Sequence, residues 1–241
     1  MRFRPTFWAT SLALPALIIL IGLGTWQVQR LEWKNDLIDT RAARILKPPL
    51  SSTQLAAAQQ GWTADQGLAQ MEYLPVDLQG TYRGAASLRL LPRVRDGKQG
   101  YHLVSGFDAV GPLGTVLIDR GWVPLDIPVE SIQTAAGPVR VEGFLRLFVE
   151  PGIFVPDNEP DANNWFFMQE GEMLGAASLE GSVGFYVQAG PGANPPGTYP
   201  EGAVPDVNLR NSHLEYAVTW YALAAVLVVI FVVFHWRREE A

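Results

Sequence analysis

The 241-residue chain is predicted to be a membrane-anchored α+β protein. Two terminal transmembrane helices flank an antiparallel, β-rich extracytoplasmic domain with a few helices, built as a sandwich or a partly open barrel. Three observations predict this. Charged residues make up only 17% of the chain, against about 25% in an ordinary soluble domain. The deficit is confined to the two ends: Asp, Glu, Lys and Arg are absent from the 25 residues Pro5 to Gln29 and from the 21 residues Tyr216 to Trp236. Between them lie short alternating runs separated by Gly and Pro, the pattern of strands joined by turns.

Taken in order, residues 1–6 form a short basic end with Arg2 and Arg4. Residues 7–26 form the first span. A bilayer core of about 30 Å needs about 20 helical residues, and Trp8 and Trp26 stand at its two interfaces. A cleavable signal peptide is the alternative, with Gly22-Leu23-Gly24 as a small-x-small site. The apolar stretch exceeds the roughly 7–15 residues of such a segment, so an uncleaved anchor is expected. Residues 213–236 form the second span, apolar on every side, and Arg237 and Arg238 in the end segment 237–241 follow it. Basic flanks stay on the cytoplasmic side. Both termini are therefore expected in the cytoplasm, with residues 27–212 carried across to the periplasmic side of a bacterial inner membrane, or the equivalent side in a mitochondrion.

That segment carries 14 Lys and Arg against 21 Asp and Glu. The whole chain has a net charge of −6 and a pI near 5.1. An acidic chain has no basic surplus to neutralise phosphates, which excludes a nucleic-acid partner. Its 48% hydrophobic content excludes disorder. The absence of Cys excludes disulfides, thiolate catalysis and Cys-ligated zinc or iron–sulfur centres.

Trp26 to Arg44 contains no Pro or Gly and reads as a helix leaving the membrane, with Trp26, Arg30, Trp33 and Leu37 on one face. Lys47-Pro48-Pro49 stops it. Ser51 and Gln54 form a capping box for a short helix reaching Gln59. Strands are expected at 76–82, 87–91, 101–107, 115–118, 139–148 and 183–188. Breaks fall at Arg95-Asp96-Gly97, Val110-Gly111-Pro112 and Gly137-Pro138, and residues 191–205 form a Pro- and Gly-rich linker.

No HExxH, nucleophile elbow, Walker or Rossmann pattern is present. Asp157, Glu159 and Asp161 lack the spacing of a calcium loop and read as a solvated turn. His102 sits in an expected strand and has a structural reading. Asp119-Arg120-Gly121-Trp122 reads as a packing motif: Arg120 pairs with Asp119 or a neighbouring acid, and Gly121 supplies a positive φ or a close backbone approach. His213 is the informative histidine. It lies one turn before the second apolar run, with Tyr216 one turn on and Trp220 two turns on, about 10 Å along the axis. A neutral imidazole above an apolar helix face suits an axial ligand for haem; on spacing alone, an interfacial His is more often a hydrated polar flank.

Several segments in order resemble the surfeit locus protein 1 family of cytochrome c oxidase assembly factors. They are Leu23-Gly24-Thr25-Trp26-Gln27-Val28-Gln29-Arg30 with Trp33-Lys34, then Gly80-Thr81-Tyr82, Pro92-Arg93 and Gly100-Tyr101-His102. Val116 to Pro124 follows, containing Asp119-Arg120-Gly121-Trp122, where the family commonly has Asn at position 119. Val141-Glu142-Gly143, Asn164-Trp165 and Asn211 to Tyr221 complete the set. The resemblance implies an inner-membrane protein of the respiratory chain that acts as a chaperone in assembling a haem-copper terminal oxidase. It implies transient haem a binding, with His213 as the iron ligand and Trp220 tied to the cofactor. Tyr216 fills the turn between them. Arg30, Lys34 and Arg210 are the expected propionate or docking partners. Trp26, Gln27, Trp33, Arg120, Gly121 and Trp122 are family-motif residues with structural or docking roles. The implied partners are the oxidase catalytic subunit, haem a synthase and the lipid bilayer.

Two other classes compete with this reading. One is a scaffold that holds an oxidase subunit without touching haem, using the Trp26, Arg30 and Trp33 face. The other is a membrane-tethered enzyme, for which an acid pair such as Glu142 with Asp119 has no supporting spacing. No catalytic residue is assigned.

Overall fold

The structure, a computed structural model, describes residues 2–3, 5–60, 67–181, 183–195, 197–207 and 209–237. Arg4 and Arg238 of the basic flanks lie outside the described residues. In chain order the elements are β1 (Arg2–Phe3), α1 (Phe7–Ile45), β2 (Leu50–Ser51), α2 (Ser52–Gln60), α3 (Gly67–Met71), β3 (Pro75–Arg95) and β4 (Lys98–Ala109). They continue with β5 (Gly114–Pro124), β6 (Val139–Leu147), β7 (Asn164–Trp165), α4 (Glu170–Ala176), β8 (Phe185–Ala189), α5 (His213–His235) and β9 (Trp236–Arg237). The chain packs as two units, one of Met1–Arg41 with Val207–Ala241, the other Ala42–Asp206.

The first unit is a pair of apolar helices. The helix expected after Trp26 is continuous with the first apolar run, giving the 39-residue α1. Both α1 and α5 contain stretches long and apolar enough to cross a membrane. The two helices run antiparallel: Gln27 meets His213, Thr25 meets Tyr221 and Thr6 meets His235. Small residues form the seam. Ala217 and Ala224 are buried on α5, and Gly24 is buried on α1. A Cβ at Gly24 would lie 2.7 Å from the Tyr221 ring, so only glycine permits this approach. The Tyr221 hydroxyl is 3.1 Å from Thr25 Oγ1, which fixes the ring in place. Gly24→Leu is therefore expected to lower the melting temperature of the detergent-solubilised chain by several degrees, as overpacking costs about 1–3 kcal/mol. An unchanged melt would refute the seam.

Three threonine hydroxyls of the apolar helices are satisfied locally. Thr10, Thr25 and Thr219 donate to carbonyls four residues earlier at 2.8–2.9 Å. His235 ends α5 as a buried side chain. It is 1% exposed, donates from Nδ1 to the Phe231 carbonyl at 2.8 Å and accepts at Nε2 from the Thr6 hydroxyl at 3.1 Å. It thus ties the two chain ends together, beside the short β1–β9 pairing.

The second unit is a mixed sheet with a few helices. The expected capping box is present: Gln54 Oε1 accepts from Ser51 N at 2.9 Å, and Ser51 Oγ accepts from Gln54 N at 3.4 Å. The strands expected at 76–82 and 87–91 are one strand, β3, with irregular register between Tyr82 and Ser87. Asp96 and Gly97 both adopt positive φ, 49° and 75°, the requirement of a two-residue hairpin turn. The sheet is not antiparallel throughout. β3–β4, β4–β5, β3–β6 and β6–β8 are antiparallel, but β2–β3, β3–β7 and β5–β8 are parallel. Tight turns enforce antiparallel neighbours only where they occur; the long excursion through β7 and α4 lets β8 enter beside β5 in parallel. The pairing runs from β3 through β4, β5, β8 and β6 and returns to β3.

Among the described residues alternate side chains fill three apolar clusters, a small one around Tyr101, Leu103 and Val123 and two larger cores. Val76, Leu78, Phe107, Val116, Ile118, Val141, Leu145, Phe185 and Val187 pack on one side with Leu55 of α2. Leu88, Leu90, Val104 and Leu117 pack on the other with Trp165 and Met173. β5 is buried on both faces over most of its length. Each fully buried large side chain contributes about 2 kcal/mol of transfer free energy. β7 and α4, which the sequence pattern did not reveal, close the second core.

Candidate functional site

His213 is the first residue of α5, where a helix start leaves backbone donors without partners. Asn211 answers this locally: its Oδ1 accepts from His213 N at 3.4 Å, and its Nδ2 donates to Asn35 Oδ1 at 2.8 Å. The α5 entry is thereby fastened to α1 within the helical unit. The decisive contact lies one step further. Gln27, 8% exposed on α1, presents Oε1 to His213 Nδ1 at 2.7 Å. An amide oxygen only accepts, so Nδ1 carries the proton. Nε2 is then the nitrogen with the free lone pair, and the amide oxygen holds the ring in place.

Tyr216 and Trp220 follow on the same helix. Tyr216 is exposed and Trp220 is half-buried. His213, Trp220 and Leu227 recur at seven-residue steps and so share a face. Leu227 and Phe231, with Leu14 and Leu17 of α1, line an apolar groove of about 220 Å³. One nitrogen donor, an aromatic and a greasy groove thus lie along one side of the helix pair. Among the described residues no cluster of three His, Asp or Glu side chains gathers.

The three expected propionate or docking cations divide. Lys34 donates to the Arg210 carbonyl, so these two are neighbours. Arg30 instead lies over the Trp33 ring, 3.8 Å from its centroid. Trp26 and Trp33 are about half exposed, leaving aromatic surface on that face of α1. Gln27 was legible in the sequence only as a motif residue; its contact with His213 comes from the packing of two distant segments.

The remaining motif residues belong to the sheet unit. Asp119 is 5% exposed and accepts from His102 Nδ1 at 2.8 Å and from Gly121 N at 3.0 Å. His102 therefore has the structural place expected for it. Trp122 is buried, edge-on to Tyr199, and its backbone pairs with Glu201. Gly121 meets both expectations: φ is +118°, and a Cβ there would lie 2.2 Å from the Glu201 carbonyl oxygen. Among the described residues Arg120 does not make the ion pair expected of it with Asp119 or a neighbouring acid. Its guanidinium donates to Thr134 Oγ1 at 3.0 Å and to the Gln133 carbonyl at 3.2 Å, and lies 4.8 Å from the Tyr82 ring centroid. The cause is strand alternation: Asp119 and Arg120 are adjacent on β5 and point to opposite faces. Burial lowers the Arg120 pKa and raises that of the Tyr82 phenol. Burial likewise pushes Tyr186 up to about 12, so these phenols stay protonated. Glu142 pairs with Arg140 at 3.0 Å, whereas Asp119 is engaged by His102.

The SURF1 family model matches residues 14–225, a range that takes in most of α1, the whole sheet unit and the first half of α5. The chain belongs to the SURF1 family. Among curated relatives, a SURF1-like protein of Monosiga brevicollis is 31% identical over 240 residues, covering 94% of this chain and 86% of the relative. Surfeit locus protein 1 of Homo sapiens is 32% identical over 227 residues, covering 86% of this chain and 71% of the relative. A SURF1-like protein of Caenorhabditis briggsae is 26% identical over 251 residues, covering 93% and 75%. The family match thus spans both Gln27 and His213.

Proposed function

We propose that the chain is an assembly factor for a haem-copper terminal oxidase, without turnover of its own, that holds haem a on His213 and passes it to the oxidase catalytic subunit. The observation that carries this reading is the Gln27–His213 hydrogen bond at 2.7 Å. It leaves Nε2 as a preset iron ligand at the head of an apolar helix face. Trp220 and the groove lined by Leu227 and Phe231 offer an apolar path suited to an isoprenoid tail. Lys34, Arg210 and Arg30 offer cations suited to propionates. A single protein ligand suits a cargo that must be released. Haem a synthase is the natural supplier and the catalytic subunit the recipient.

In this reading residues 7–26 and 213–236 span the inner membrane, residues 27–212 lie on its periplasmic side, and residues 1–6 and 237–241 stay in the cytoplasm. The pairing circuit that returns to β3 supports a small barrel over a sandwich for the outer domain. The half-exposed Trp26 and Trp33 with the stacked Arg30 support a second role for α1 as a docking face for the client, which a scaffold without haem would share. Deletion of the gene is expected to lower the haem a content of the terminal oxidase in a reduced-minus-oxidised difference spectrum. Normal haem a content with normal oxidase activity would refute the proposal.

A further inference from the structure

The sheet unit contains a buried cation that the haem reading does not use. Arg120 is 4% exposed. A guanidinium remains charged in a protein, and a charge removed from water is stable only when something compensates it. Among the described residues no carboxylate pairs with Arg120. Its neighbours are the Thr134 hydroxyl, the Gln133 carbonyl and the Tyr82 ring, all neutral. The cation nearby on β6, Arg140, is already neutralised by Asp77 at 2.8 Å and Glu142 at 3.0 Å. If Arg120 served only to tie down the 133–134 segment, a neutral donor such as glutamine would do so at lower desolvation cost.

Arg120 also lines a recess of about 580 Å³, within the range of small-ligand sites. Tyr82 and Thr134 share the wall. The Thr134 oxygen accepts from Arg120, so its own O–H is directed elsewhere. Burial keeps the Tyr82 phenol protonated and able to donate. Ala136, Val139 and Ala193 supply apolar surface. Arg140 and Thr198 line the recess as well, but Arg140 is paired with Asp77 and Glu142 and Thr198 donates to the Pro195 carbonyl. One uncompensated cation, two hydroxyl donors and a short apolar wall match a planar monoanion with a small hydrocarbon body better than a phosphate, which draws several unpaired cations. We propose that this recess binds a carboxylate, held by the Arg120 guanidinium with the Tyr82 and Thr134 hydroxyls. The carboxylate comes from a small organic acid or from the end of a peptide chain.

The test is calorimetric titration of the full chain in detergent with four probes: sodium butyrate, neutral butyramide, and the tripeptide Ala-Ala-Val with a free and with an amidated C-terminus. Butyrate binding without butyramide binding supports the site and identifies a free acid. Binding of the free-ended tripeptide alone supports it and identifies a chain terminus. Absence of binding by either acid, or equal binding of acid and amide, overturns it. Arg120→Gln is expected to weaken binding by about tenfold or more, since a charge-assisted bond is lost; affinity equal to wild type overturns the assignment. Should that variant fail to fold, as judged by near-UV circular dichroism, Thr134→Val decides. It keeps the guanidinium and is expected to weaken binding by several-fold, and unchanged affinity overturns the proposal.

Discussion

If the chain holds haem a as proposed, wild type purified from cells that make haem a is expected to show a Soret band and the His213→Ala variant to lack it. The substitution removes the nitrogen that Gln27 sets up by accepting from Nδ1 at 2.7 Å. Among the described residues the other histidines offer no substitute in place. His102 is engaged by Asp119, and His235 uses both ring nitrogens at the far end of the helix pair. Loss of a sole protein ligand should reduce bound haem to background, and equal haem content and an unshifted spectrum would refute the ligand assignment. Gln27→Leu sharpens the test. It leaves the imidazole but removes the contact that fixes its tautomer and angle, and loss of such an outer contact typically weakens metal binding about 10–100-fold. A weakened, shifted spectrum in that variant, beside an absent one in His213→Ala, is the expected pair.

The second large effect is expected at Gly121. Its φ of +118° is a conformation that side-chain-bearing residues rarely adopt, and a Cβ would sit 2.2 Å from the Glu201 carbonyl oxygen. That neighbour is backbone, held by the Trp122–Glu201 pairing at 2.9 Å in both directions, so it cannot swing aside. Gly121→Ala should therefore cost about 3 kcal/mol or more, from backbone strain combined with the displaced chain. For a chain of this size that lowers the melting temperature by about 6–12 °C. The displaced backbone also frees the Gly121 N–H from Asp119. A melt within a degree of wild type would show that the contact is not needed for stability.

The sequence disclosed what local chemistry determines. The charge-free runs marked both apolar helices, and Ser51 with Gln54 marked the start of α2. Asp96-Gly97 marked the β3–β4 turn, and Gly121 announced a special backbone. It was silent where distant segments meet. Nothing near Asn164-Trp165 indicates that this pair lies parallel to Arg89 and Leu90. No local periodicity places β8 between β5 and β6. The expected Arg120 ion pair failed for a related reason: adjacency in a strand is separation in space, a point the residue types alone do not carry. At His213 the spacing to Trp220 identified the helix face. The partner that orients the ring, Gln27, lies 186 positions away and became visible only once α1 and α5 were placed side by side.

The location of β8 has a consequence for how the domain comes into being. Phe185–Ala189 is the last strand of the sheet unit to be synthesised, yet it is the piece that joins β5 to β6. Until it leaves the ribosome, both of those strands present unpaired amide rows, open to wrong partners. A polypeptide halted by a stop codon anywhere before position 185 would therefore be a substrate for proteases or aggregation rather than a smaller working protein.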